Sequence, residues 1–209
     1  MKPKVIVFDF WNTLVYDPSV EKNTQIARLL GFNDKLEFWK HLDKHYMHTS
    51  LTFYDIVKEI MEKRNLPEGI LDEVKNLWEE CKEHVGIFPD AVKTLERLKE
   101  KYKLALLSNT TKDESEETLN RFGLKKYFDY IIYSSDVGLS KPDPEIFKLV
   151  LKRFKMKPEE FVMIGDTLKL DIVPARMLGM KAILIDSRGR YPEYKGEDWY
   201  IASLKELKL

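Results

Sequence analysis

The chain has 209 residues, 44% of them hydrophobic, which suits one α/β domain with a sizeable insertion or two small domains. Its 35 basic and 35 acidic residues balance, so no global field draws it to nucleic acid, and no apolar run approaches the ~18 residues of a membrane span. A single cysteine, Cys81, excludes an internal disulfide, and its helical setting points to a packed thiol rather than a reactive one. The N-terminus opens on strand-like sequence with no signal-peptide pattern, so a soluble cytoplasmic protein is expected. Abundant Lys and Glu beside a single glutamine, Gln25, follow the compositional trend of hyperthermophiles.

In chain order, residues 4 to 10 read as the first strand, around the apolar run Val5-Ile6-Val7-Phe8, with Asn12 to Pro18 as its exit. From Ser19 to about Val85 the pattern turns helical throughout: Val20 to Leu30, Lys35 to Tyr46, Phe53 to Arg64 and Pro67 to His84 carry apolar residues three and four apart. Gly31 to Asp34 and Asn65 to Pro67 supply the stops and starts. After Gly86-Ile87-Phe88-Pro89, helices near Asp90 to Lys101, Glu114 to Phe122, Pro144 to Phe154 and Leu170 to Leu178 alternate with strands. Those strands lie near Leu104 to Leu107, Tyr130 to Tyr133, Phe161 to Ile164 and Ala182 to Ile185. Short apolar strands alternating with helices predict a parallel sheet covered on both faces, a three-layer α/β core. Ser187 to Asp198 reads as a surface loop before a last short strand and helix, and Arg188 or Arg190 within it is a minor candidate for substrate contact.

The chemistry gathers at strand ends. Asp9 closes the first strand, where a carboxylate is costly to bury and where open α/β sheets place ligands. Ser108-Asn109-Thr110 follows the second core strand, Lys141-Pro142 follows the third, and Gly165-Asp166 with Asp171 follows the fourth. A carboxylate, a hydroxyl, a cation and an acidic pair therefore converge on one sheet edge.

These segments, DFWNT, SN, SKPDP and GDTLKLD, resemble the four motifs of the haloacid dehalogenase superfamily in order and spacing, from residue 5 to about 186. The resemblance implies a Rossmann-like core, residues 1–17 and 87–209, interrupted by an all-helical cap, residues 18–86, that closes over the site and selects substrates. It implies a hydrolase of a small phosphorylated metabolite, with no nucleic-acid or membrane partner. Asp9 would be the nucleophile, forming an aspartyl-phosphate. Mg2+ would be held by Asp9, the backbone carbonyl of Trp11 and Asp166, with Asp171 in the outer shell. Lys141 would neutralise the nucleophile and the phosphoryl group, Ser108 and Asn109 would bind phosphoryl oxygens, and Thr13 would fasten the first loop. Taken singly, Asp9 and Asp166 also read as turn or helix caps, but capping does not account for the paired acidic spacing.

One position departs from the family. Its second aspartate, which protonates the leaving oxygen and then activates water, is Trp11 here, and an indole N–H only donates. A positioned acid-base group is worth ~10²- to 10⁴-fold in rate. Three alternatives to a phosphatase stand beside it. A 2-haloacid dehalogenase carries an aromatic residue at this position but resembles SxNxxD in the fourth motif. A phosphonate hydrolase needs a cap lysine, for which Lys22, Lys40, Lys44 and Lys58 are present and none is singled out. A silent binding protein is the third, against which the retention of Asp9, Lys141 and Asp166 argues. In the helical block His41, His45 and His48 share one predicted helix face, read as a polar surface ahead of a substrate-contacting or metal-binding one. Trp39 and Trp78 read as cap core.

Overall fold

The computed structural model describes residues 2–46, 48–197 and 199–209. Strand β1 (Val5–Phe8) leads through a tight loop to β2 (Val15–Tyr16) and then to four helices, α1 (Val20–Leu29), α2 (Lys35–His45), α3 (Phe53–Arg64) and α4 (Ile70–His84). The chain returns through β3 (Gly86–Ile87), which pairs antiparallel with β2, Tyr16 opposite Gly86. There follow α5 (Ala91–Lys99), β4 (Lys103–Ser108), α6 (Lys112–Arg121), β5 (Tyr130–Tyr133), α7 (Ser134–Val137) and α8 (Pro144–Phe154). The remaining elements are β6 (Phe161–Gly165), α9 (Val173–Met177), β7 (Lys181–Ile185) and β8 (Tyr200–Ile201).

The main sheet runs β5-β4-β1-β6-β7-β8, every pair parallel. Its residues alternate between two buried layers, as a doubly covered sheet requires. Ile6, Phe8, Leu104, Leu106, Val162 and Ile164 face Leu95 and Leu98 of α5 and Leu119 of α6. Val5, Val7, Ala105, Leu107, Phe161 and Met163 face Ile146, Phe147 and Val150 of α8. Removing one such aliphatic or aromatic side chain from water is worth ~1.5–3 kcal/mol, so these two faces dominate core stability. The helical block has its own apolar cluster, from Ile26 of α1 to Cys81 of α4, with Phe53 and Trp78 stacked at 3.9 Å. Local signals set its helices: Asp34 caps α2, Thr52 and Asp55 form a capping box on α3, and Asn65 ends α3 in the left-handed region.

The expected elements are present, with these differences. The first strand ends at Phe8, because Asp9 makes the last sheet bond, from its N–H to the Ile164 carbonyl at 2.8 Å, and Phe10 then accepts from Leu14 and Val15 to close a turn. The expected helix Leu170 to Leu178 begins at Leu168 as a π-helical turn, Leu168–Ile172, a wider winding that often marks functional positions. The short pair β2 and β3 had no signature in the sequence, since two residues per strand are too few to show alternation. The expected loop from Ser187 is irregular around one 3₁₀ turn, Pro192–Tyr194, and its end, Asp198, lies outside the described residues; the last short strand is β8, and a 3₁₀ turn, Leu204–Glu206, stands where a closing helix was expected.

Candidate active site

β1 is the sheet's central strand, flanked by β4 and β6, and the chain order reverses between β1 and β6. A crevice at the carboxyl ends of such strands is the expected ligand site. Asp9, Ser108 and Asp166 emerge there side by side, because Phe8 is in register with both Leu106 and Ile164. Asn12, with φ of 60°, turns the chain out of β1, a conformation that asparagine tolerates. The turn brings Thr13 back, and its hydroxyl donates to Asp9 Oδ2 at 2.9 Å.

Lys141 reaches the same point from the loop after α7. Its peptide is clamped by Asn109, whose amide donates to the Lys141 carbonyl at 2.9 Å and accepts from the Lys141 N–H at 2.8 Å. The ammonium, 4% exposed, donates to Asp9 Oδ1 at 2.6 Å and to Asp171 Oδ1 at 2.7 Å. Burial alone would lower its pKa, but the Asp171 and Asp9 carboxylates and their hydrogen bonds outweigh that and raise it above the ordinary value. Lys141 is therefore a fixed cation.

Asp166 follows β6, accepting from the Thr167 hydroxyl at 3.0 Å and from Arg190 at 2.7 Å. Arg190 also donates to the Asp166 carbonyl at 2.6 Å, and Asp186 holds the Arg190 backbone N–H at 2.8 Å. The π-helical turn aims Asp171 inward, and Gly165 makes room: a Cβ there would run into the Asp171 carboxyl group. Burial, opposed by Lys141 and reinforced by the charges of Asp9 and Asp166, pushes Asp171 up to about 7. Burial and then the Asp9 charge push Asp166 up as well.

Asp9, Asp166 and Asp171 each offer an oxygen, all within 4.8 Å of one another. Three carboxylates meet two cations, Lys141 and Arg190, so negative charge is left unmatched at a buried all-oxygen donor set, which fits a small hard divalent cation. Ser108 Oγ, at the end of the strand paired with β1, is buried and has no hydrogen-bond partner among the described residues, a cost normally avoided unless a ligand completes the site. Thus Asp9, Thr13, Ser108, Asn109, Lys141, Asp166 and Asp171 come together. The Asn109 amide differs from expectation, because both its polar atoms are occupied by the Lys141 peptide.

Between the helical block and the sheet edge lies a cavity of about 420 Å³, bordered by Trp11, Asn12 and Asn109 from below. Trp11 packs edge-on against Phe10 at 5.4 Å. Leu36, Trp39 and Asp43, spaced along one face of α2, border it from above. Trp39 and Trp78 belong to the helical block's apolar cluster and also line this cavity, so they do more than fill the cap core. His41 and His45 face elsewhere, their rings 4.6 Å apart and His41 5.1 Å from Phe32, and His48 falls beyond the end of α2. Neither His41, His45 nor His48 is among the residues lining this cavity. Cys81 lines it too, with burial raising its thiol to about 11, well away from a reactive thiolate.

Asp43 and Glu114 had no sequence signal, and of the two candidate loop arginines Arg188 lines the cavity whereas Arg190 does not. Arg190 comes from the loop after β7, held by Asp186, and contacts Asp166 rather than lying free toward a substrate. Asp43 lay hidden among the charges of α2. Glu114, in the first turn of α6, borders the cavity, and burial pushes its carboxyl up to about 8.

A family model of haloacid dehalogenase-like hydrolases matches residues 3–179. A glyceraldehyde 3-phosphate phosphatase of Pyrococcus furiosus is 30% identical over 98% of this chain and 91% of its own length. A second protein of that name, from Methanocaldococcus jannaschii, is 39% identical over 57% of this chain, and the match spans about half of that relative, 54%. A crystal structure of a HAD phosphatase from Thermococcus onnurineus superposes with a TM-score of 0.66 and 28% identity, covering 97% of this chain and 95% of the other. With its parallel sheet, its strand-end carboxylates and these relatives, the chain belongs to the haloacid dehalogenase-like hydrolases.

Proposed function

We propose that this protein is a Mg2+-dependent phosphatase of a small phosphorylated metabolite, acting through an aspartyl-phosphate on Asp9. The observation that carries the reading is the Lys141 ammonium, held between Asp9 and Asp171 beside Asp166 at the carboxyl ends of the central strands. The names of the Pyrococcus and Methanocaldococcus relatives support a phosphate monoester as substrate, and a cavity of about 420 Å³ suits a small one. The residues divide into a catalytic core, 1–17 and 87–209, and a cap, 18–86, a division supported by the separate apolar cluster of α1 to α4. Among the described residues no helix is long and apolar enough to cross a membrane, and action on a soluble metabolite fits the cytoplasm.

In this reading Asp9 Oδ attacks phosphorus while Lys141 neutralises charge on the nucleophile and on the transferring group. Thr13 keeps the second Asp9 oxygen turned away from that attack. The Ser108 hydroxyl, which has no hydrogen-bond partner among the described residues, receives a phosphoryl oxygen, and Asn109 acts by holding Lys141. Asp9, Asp166 and the Trp11 carbonyl would hold the magnesium ion, Asp171 orienting its outer shell, and the ion would share the phosphoryl charge. The test is a panel of phosphate esters, acyl phosphates and a 2-haloacid, with and without Mg2+, on the parent and Asp9→Asn. Release of phosphate that needs both Mg2+ and Asp9 is expected; halide release without metal would replace the reading by a dehalogenase.

A further inference from the structure

An alkyl phosphate needs a proton on its leaving oxygen, and Trp11 cannot supply one. Resting on the phosphatase reading above, we propose that Asp43, on α2 of the cap, is the group that gives the leaving oxygen its proton and then takes one from the attacking water.

Position carries the proposal. Leu36, Trp39 and Asp43 form the stripe of α2 that borders the cavity, facing Asn12 and Asn109 across it. The histidines, two residues off this stripe, turn away. Asn109, which clamps the Lys141 peptide, lines the same cavity as Asp43, and no described residue gives the Asp43 carboxyl a hydrogen bond or ion pair. The other acids on the walls already accept hydrogen bonds from the protein. Asp17 accepts from the Ser19 N–H at 2.7 Å and from Asn23 at 2.5 Å. Glu114 accepts from the Thr110 hydroxyl at 3.5 Å. Asp43 retains contact with solvent, yet the cleft walls raise its pKa by desolvation, with Lys141 opposing, which favours a carboxyl able to donate.

The steps balance. As an Asp9 oxygen bonds to phosphorus, the bond from phosphorus to the leaving oxygen breaks, and the Asp43 proton moves to that oxygen, giving an alcohol and an Asp43 carboxylate. That carboxylate then removes a proton from water as the water oxygen bonds to phosphorus. The Asp9–phosphorus bond breaks, inorganic phosphate leaves, and Asp43 is protonated again.

The experiment measures kcat/KM with Mg2+ across alkyl and aryl phosphates of graded leaving-group basicity. The parent is expected to show a shallow dependence. Asp43→Asn should slow alkyl phosphates by ~10²- to 10⁴-fold and p-nitrophenyl phosphate by less than about tenfold, giving a steep dependence. Asp43→Glu should recover part of the alkyl activity, and Trp11→Asp placed in the Asp43→Asn background should recover it by the other route. His41→Asn and His45→Gln should leave all rates unchanged. Equal slowing of both classes by Asp43→Asn would reduce Asp43 to a positioning residue and overturn the proposal, as would no slowing or a parent already steep. A parent that releases no phosphate from any ester with Mg2+ would overturn the phosphatase reading and this proposal together, and is distinguishable from the preceding results.

Discussion

Glu114→Gln isolates the cost of a buried carboxyl in the cleft. Its carboxyl is shifted from 4.5 to about 8, first by burial and then by the charges of Asp113 and Asp17, while Thr110 and Thr111 pull weakly the other way. The folded state thus binds this proton more tightly than the unfolded chain does. Stability from this group is complete below the unfolded pKa of ~4.3 and is lost as pH rises from there through about 8. Each pH unit in that window removes up to ~1.4 kcal/mol, an upper limit near ~5 kcal/mol across the whole of it. Glu114 keeps some solvent access, so water screens part of the cost and ~2 kcal/mol is the working figure. Glutamine retains the shape and cannot ionise. Urea unfolding of both proteins should give matching stabilities at pH 5 and a variant more stable by ~2 kcal/mol at pH 9. The same difference at both pH values, or none at either, would refute the burial argument, because a purely steric or hydrogen-bonding effect of the substitution does not follow the proton.

Asp166→Asn should abolish most Mg2+ binding by calorimetry while Lys141→Met leaves much of it, since carboxylates ligate the ion and the lysine balances phosphoryl charge; unchanged binding in Asp166→Asn counts against the assignment. Arg190→Gln should tighten Mg2+ binding by up to ~10-fold, because the guanidinium now competes for the Asp166 carboxylate; weaker binding would make Arg190 a positioner of that ligand instead. Gly165→Ala should lower stability by ~1–3 kcal/mol in denaturant unfolding, as the new methyl group meets the Asp171 carboxyl; an unaffected protein would mean that the π-helical turn moves freely.

What could be read from the sequence depended on whether the signal was local. The apolar runs at Val5–Phe8 and Phe161–Gly165 carry their own burial, and each strand exit carries its own polar residue, so Asp9, Ser108 and Asp166 were legible without knowing which strands pair. Helix boundaries were legible where a side chain makes the cap, as at Asp34 and Thr52. The remainder depends on distance along the chain. Arg190 reaches Asp166 across 24 residues, and nothing near either one announces it. On α2, histidines three and four apart drew attention, but the cavity-facing stripe follows from how the helix packs on α1, so Asp43 was obscured by Lys40 and Lys44 beside it. Glu114 reads as an ordinary acid in a helix's first turn, and only the wall of residues around it makes it unusual.

The pairing of Tyr16 with Gly86 means that the chain leaves for the helical block and returns from it at the same place, the Tyr16 ring lying where any side chain at position 86 would have to go. The block is thus an excursion from the tip of a two-residue-per-strand ribbon, and the ends it must bring together are already joined. Closing a loop depends only weakly on its length, each doubling adding ~0.6 kcal/mol, so the sheet is nearly indifferent to what the excursion contains. Lengthening, exchanging or reshaping α1 to α4 alters the roof of the cavity without moving Asp9 against Lys141. On the proposals above, the nucleophile and its lysine stay with the sheet while the proton donor travels with the roof, so a ribbon shortened to join Tyr16 directly to Gly86 is the natural starting point for a graft, and any new roof would have to bring an acid of its own in place of Asp43.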